Sequence, residues 1–307
     1  MDRTISAASM SCVGPLFCLL SAAGFGAMAI FGKLAYDAGL AVGDLLLLRF
    51  AIAAAVLLAI TSATGRLRGL GRRGVLGALA MGAIGYATQA GLFFSALERM
   101  DASLLALVLY IYPGLVLVGA VALGRERATG RRMAALLVAS AGTALVLAGA
   151  ASGGLDALGT AMGFGSALAY TIYILTGDRI LAGVPFLPLT ALVCAGAAGT
   201  FAVASLASGG PDLSVSSEGW LWLGALILIS TLGAILMFFA GLARVGPSAA
   251  SILSTFEPVV TVGLAAVVFG ESLAGIQLIG GLLVLAAVVV MQWSPPARPR
   301  QPVAAAG

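Results

Sequence analysis

Histidine is absent from the 307 residues, and only 9% of them are charged. Without an imidazole there is no histidine general base and no histidine metal site. Three cysteines, Cys12, Cys18 and Cys194, fall in apolar segments without ligand-type spacing, so they read as packing residues. No metal or other cofactor is implied. No nucleophile with its base and no interfacial pair of acids stands out, so the chain is poorly equipped to be an enzyme. Soluble domains carry about 25% charged residues; this chain falls far short of that.

What replaces charge is apolar surface. Hydrophobic residues make up 61% of the chain, and the mean hydropathy is +1.11. A soluble fold of this length could not hide so much, because much of any folded surface stays exposed. A lipid bilayer removes the problem. The net charge of +4 does not indicate nucleic acid, since the arginines sit in short connections between apolar runs, as orientation signals do. The start, Met1–Gly32, has the charged beginning and small-residue Ser21-Ala22-Ala23-Gly24 stretch of a cleavable signal. Its apolar run continues to about Tyr36, too long for such a signal, and a later segment repeats it. It is read as a first span.

Windows of about 20 apolar residues are long enough to cross the hydrocarbon core. Ten are expected, at 14–36, 44–64, 74–97, 103–123, 133–151, 157–177, 185–208, 219–242, 249–269 and 273–293. Residues 1–13 would precede them, and the Pro-rich tail 294–307 is expected to be disordered.

The two halves repeat. Pro113 and Pro258 are 145 residues apart, and the same shift places Ser21 on Ser166, Gly32 on Gly177, Phe93-Phe94 on Phe238-Phe239, Arg99 on Arg244, Ser103 on Ser248 and Glu126 on Glu271. Apolar matches arise by chance; Arg, Pro and Glu in one register do not. The repeats are placed at 14–151 and 157–293. Each would hold five spans, an odd number, so the second must enter the bilayer from the opposite side. The charges agree. With a cytoplasmic N-terminus, 13 of the 16 basic residues fall on the cytoplasmic side and only Arg99 on the outer side. The loop Arg66–Arg73 corresponds to Pro211–Glu218, which has lost every Arg, as the positive-inside rule requires. The expected fold is therefore all-α integral membrane: ten transmembrane helices as a 5+5 inverted-topology repeat around a central cavity, with both termini cytoplasmic. Inverted repeats are a transporter design, in which two halves rock to expose a central site alternately.

The residues also carry a family likeness. Ala-Met-Ala-Ile-Phe-Gly-Lys at 27–33, Leu-Arg-Phe at 48–50, Leu-Gly-Arg-Glu at 123–126, Phe-Glu-Pro-Val at 256–259 and Phe-Gly-Glu at 269–271 together resemble the drug/metabolite transporter superfamily, in its ten-helix EamA-type branch. The resemblance covers residues 14–293 and implies export of small metabolites across a bacterial plasma membrane. The narrower resemblance is to the YddG-type amino-acid exporters.

Particular residues suggest a site. Pro113 and Pro258 lie mid-span, and each frees the carbonyl four residues earlier, at Leu109 and Ser254. With Gly114 they are candidate hinges, although an ordinary kink would need the same residues. Glu257 is the deepest acid and by default a functional candidate, for a substrate amine or a proton; the plainer reading satisfies it with a hydroxyl such as Ser254. Lys33 and Arg49 are placed toward the outer ends of their spans, where long side chains reach water. Lys33 is a candidate gating residue. Arg49 reads as structural, paired with Asp44 or another acid.

Helical spacing gives a cavity lining. Tyr86, Gln89 and Phe93 share one face, as do Ser166, Tyr170 and Tyr173, onto which the repeat maps Ser21, Phe25 and Met28. Thr231, Ala234 and Phe238 form a third face, and Ser254, Glu257 and Thr261 a polar stripe matched by Leu109, Tyr112 and Val116. On one continuous helix Tyr110 and Tyr112 point about 200° apart, and the repeat favours Tyr112 for the cavity. Taken singly, each aromatic reads first as helix packing. The substrate class expected is an amino acid or similar small metabolite, with cationic-drug efflux as the alternative. The lipid bilayer and that small molecule are the expected partners, not nucleic acid, and the protein is expected as a monomer.

Overall fold

The computed structural model describes residues 2–67, 70–125, 129–151, 156–180, 184–245, 250 and 253–292, apart from the side chains of 2–12, 132, 150–151, 178–180 and 291–292. Cys12, Glu126, Ser248, the tail from 294 and, among the arginines of the connections, Arg68 and Arg127 lie outside that description. Every regular element among the described residues is helical.

Seven helical stretches are long and apolar enough to cross a membrane: Val13–Asp37, Val42–Ala63, Arg72–Leu97, Ala102–Ala122, Ala157–Gly177, Phe186–Ala207 and Ser217–Val245. Three shorter apolar helices, Met133–Gly149, Glu257–Phe269 and Gly275–Val290, fall below that length. The outward faces are apolar: Val267 is 84% exposed, and Leu206 and Ile84 are each 72% exposed. Lipid is the solvent in which such a surface costs nothing.

The elements are α1 (Asp2–Gly26), α2 (Met28–Asp37), α3 (Val42–Ala63), α4 (Arg72–Ala80), α5 (Ala87–Leu97), α6 (Ala102–Leu109), α7 (Tyr112–Ala122), α8 (Gly130–Ala151), α9 (Ala157–Ile180), α10 (Phe186–Ala207), α11 (Ser217–Ala225), α12 (Ala234–Val245), α13 (Glu257–Phe269) and α14 (Gly275–Gln292). Two π-helical stretches, Met81–Tyr86 and Leu226–Gly233, join α4 to α5 and α11 to α12.

The 145-residue shift reappears in the defects. It carries the π stretch at Met81 onto the one at Leu226, and the break at Tyr110–Ile111 onto that at Thr255–Phe256. Each break is followed by a helix with Pro in its first turn, where the missing N–H has no intrahelical role. The expected kinks are thus full breaks.

Packing repeats as well. α1 lies along α12 and α9 along α5, two pairs that exchange under the shift; α3 lies along α10 and α8 along α14, pairs that map onto themselves. The Ser21 hydroxyl donates to the Ala234 carbonyl at 2.7 Å, and its counterpart Ser166 donates to the Gln89 carbonyl, 145 residues before Ala234, at 3.1 Å. This approximate twofold relation puts the inner faces of both halves around one centre. A break at Ala27 has no counterpart in the continuous α9. There the Gly26 carbonyl accepts from the Thr261 hydroxyl at 2.9 Å instead of from its own helix.

Candidate functional site

Five of the six tyrosines form one continuous chain of rings at that centre. Tyr86 meets Tyr173 at 5.7 Å between centroids, Tyr173 meets Tyr170 at 6.3 Å, Tyr170 meets Tyr112 at 4.7 Å and Tyr112 meets Tyr110 at 5.8 Å. Four stretches supply them: the first π stretch, α9, the start of α7 and the break before it. At one end the chain continues through Phe50, 5.4 Å from Tyr86, to Phe201. At the other it stops at Glu257. The Tyr110 hydroxyl lies 3.2 Å from Glu257 Oε2 and 2.9 Å from the Ser254 carbonyl. That carbonyl is the one Pro258 frees, so a tyrosine from the other half satisfies the backbone group that the proline leaves open.

The expectation that only Tyr112 faces the site rests on a continuous helix, which would turn Tyr110 away from it. The break at Tyr110–Ile111 removes that premise, and the two rings meet edge to face. The Ser254 hydroxyl does not serve Glu257; it donates to the Ala250 carbonyl at 2.9 Å.

Arg49 differs most from expectation. It is 1% exposed, at the centre of the fold rather than at a water-facing end. Its Nε donates to Thr231 Oγ1 at 3.0 Å, and the guanidinium carbon lies 5.0 Å from the Phe50 ring centroid and 5.3 Å from that of Phe94. Among the described residues no carboxylate, Asp44 included, comes within ion-pair distance of it. Position along a span sets depth but not facing, and α3 turns this residue inward toward the second π-helical stretch and α5 rather than toward headgroups.

The remaining candidates divide. Gln89 Nε2 lies 3.2 Å from Ser166 Oγ, tying α5 to α9. Phe25 and Met28 are half-buried on α1 and α2, and Met28 packs against the main core. Phe238 is not in the tyrosine chain; it meets Phe239, which stacks on Phe186 at 3.9 Å. Pro113, Gly114 and Pro258 sit at the two breaks.

A cavity of about 460 Å³ opens at one end of the bundle, where α2, α5 and α13 finish and α6 begins. It is lined by Asp37, Glu98, Asp101, Glu271, Lys33, Tyr36, Leu97 and Phe269; of the candidates named from sequence only Lys33 is among them. Lys33 Nζ lies 2.9 Å from Glu271 Oε1 and 3.9 Å from Asp101 Oδ1. Glu271 also accepts from the Ala102 N–H at 3.1 Å, the Ser103 N–H at 3.0 Å and the Ser103 hydroxyl at 2.7 Å, so it caps α6 from a distant loop. Burial opposes ionisation of this carboxyl, but the Ser103 N–H, the Lys33 ammonium and the Ser103 hydroxyl outweigh it and hold its pKa below the ordinary value. Nothing in the local sequence marks Glu271 for this role, since its partners lie in the first half of the chain.

No group of three or more His, Cys, Asp or Glu that could hold a metal ion occurs among the described residues. The family profile of the EamA-like transporters matches residues 13–148 and 157–293. A solved crystal structure superposes with a TM-score of 0.61 at 21% identity, covering 92% of this chain and 97% of its own. No curated protein sequence matches the chain.

Proposed function

Because the chain belongs to the EamA-like transporter family, a family of membrane transporters, we propose that it exports small metabolites, most readily amino acids, by alternating access. In this reading ten helices form two inverted five-helix repeats, both termini face the cytoplasm of a bacterium, and the tyrosine chain between the halves is the surface along which substrate passes. The observation that carries it is the union of five tyrosines from four chain stretches with one deep carboxylate, Glu257. Tyrosine rings offer apolar faces to a side chain, hydroxyls to polar groups and π faces to an ammonium. Few fixed charges at the centre argue against phosphorylated cargo, whose dianion would need several cations. The two proline breaks give the half-helices places to pivot.

The test is counterflow. Liposomes containing the purified protein and loaded with an unlabelled apolar amino acid should accumulate the labelled form saturably. A second reading, efflux of cationic compounds, is favoured by the end cavity, where Asp37, Glu98, Asp101 and Glu271 outnumber Lys33. Counterflow of a monovalent organic cation, with none for any amino acid, would establish that reading instead.

A further inference from the structure

Three other arginines, of which only Arg125 is half-buried, each have a carbonyl or a carboxylate as a partner. Arg125 Nη1 donates to the Leu175 carbonyl at 2.6 Å, Arg244 Nη1 to the Ala240 carbonyl at 2.7 Å, and Arg99 pairs with Asp156 at 3.6 Å. Arg49 has none of this. It is the most deeply buried of the four, yet its one hydrogen bond of good geometry uses Nε and a neutral hydroxyl, and its remaining polar neighbours are the Tyr86 hydroxyl, the Cys194 thiol and the Tyr36 hydroxyl, all neutral. A cation inside a membrane protein is costly unless paired. A residue kept only for packing would be better replaced by an apolar one. The charge therefore calls for an anion that the described chain does not itself supply.

Its place in the fold says what kind. The 145-residue shift maps Arg49 onto Cys194 and Tyr86 onto Thr231, so the guanidinium and three of its polar neighbours make up two equivalent pairs facing each other across the twofold relation. Both hydroxyls come from the π-helical stretches, Tyr86 from the first and Thr231 from the second. Such stretches are weakly bonded backbone that recurs at functional sites. Ser230, beside Thr231, buries a hydroxyl with no hydrogen-bond partner among the described residues. One half contributes a cation at this position and the other a neutral thiol, so one unit of negative charge is enough to balance it. The aromatic chain leads from here, through Tyr86, to Glu257.

We infer that Arg49 binds the carboxylate of the transported molecule, with Thr231 holding the guanidinium in place, so that the cargo carries one carboxylate. This rests on the amino-acid reading of the function above and extends it: a zwitterion would span from Arg49 toward the rings and Glu257. A guanidinium presents a planar fork that matches a carboxylate, and the π stretches supply the backbone freedom needed to admit it to Arg49, which is buried in this structure.

The experiment compares matched acids and amides. Thermal stabilisation of the detergent-purified protein is measured with an apolar amino acid and its carboxamide, and with an apolar monocarboxylate and its carboxamide. Wild type should favour each acid that it binds over its amide; in Arg49→Gln that preference should vanish, with acid affinity down by about thirtyfold or more and amide affinity kept. Arg49→Lys retains charge without the fork and should recover part of the preference, which also controls for a misfolded Gln variant. Thr231→Ala should weaken acid binding less than Arg49→Gln does. Acid-over-amide preference that survives in Arg49→Gln would overturn the proposal while leaving the transport reading intact. Preference for the monocarboxylate alone, lost in Arg49→Gln, would uphold Arg49 and sink the amino-acid assignment. A wild-type protein indifferent to every carboxylate overturns both.

Discussion

The Lys33 ammonium lies 2.9 Å from Glu271 Oε1, joining positions 238 residues apart and lying in different repeats. The contact closes the wall between α2 and the loop after α13, at the floor of the end cavity. Gly270 makes it possible: at φ +68 it ends α13 in a left-handed turn, the Glu271 N–H returns to the Ala265 carbonyl at 3.3 Å, and the carboxylate is delivered to the start of α6.

Glu271→Gln should therefore lower stability by about 1–3 kcal/mol, since bonds to a buried charged acceptor are lost together. The effect has a pH signature. Because the folded state holds this carboxyl below its ordinary pKa, ionised Glu271 stabilises the protein above the unfolded-state value, and that contribution is lost as pH falls through the folded-state value. Thermal unfolding of wild type and Glu271→Gln should differ most near neutral pH and converge in strong acid. A gap that is constant with pH would show that the charge is not what matters.

Tyr110 answers two needs at once, the open Ser254 carbonyl and the Glu257 carboxyl. Tyr110→Phe keeps the ring contact but removes both, so it should cost about 1–2 kcal/mol in unfolding free energy and slow counterflow. Tyr112→Phe serves as the comparison, because Tyr112 has ring contacts but no hydrogen bond to either group. Equal behaviour of the two variants would dissociate the hydroxyl from the break.

Much of the frame is visible in one dimension because its causes are local. Proline cannot donate, so both breaks fall one turn ahead of Pro113 and Pro258, and a duplicated register announces duplicated defects. The π stretches carried no such signal: Met81–Tyr86 and Leu226–Gly233 share neither proline nor a common residue pattern. Facing is not legible where a break interrupts the periodicity, as at Tyr110, or where depth along a span is the only guide, as at Arg49. Long-range pairs such as Lys33–Glu271 depend on how helices meet, which no window of a single sequence contains.

Replacing Pro113 or Pro258 with Ala restores an N–H that can bond the carbonyl four residues earlier and favours a continuous helix. Each variant should reach the membrane in near-normal amounts but turn over more slowly. At Pro258 the restored bond also competes with Tyr110 for the Ser254 carbonyl, so this variant should be the slower of the two. Wild-type turnover in both would rule out the breaks as pivots.

Glu257 meets a phenolic hydroxyl and no cation: among the described residues no ion pair includes it. If it carries protons during transport, Glu257→Gln should abolish accumulation driven by a pH gradient while exchange of internal for external substrate continues, because exchange needs no net proton movement. Both are read in the same liposomes by imposing or omitting the gradient. Loss of exchange as well would make Glu257 a group that holds the substrate, and retention of gradient-driven accumulation would remove it from coupling altogether.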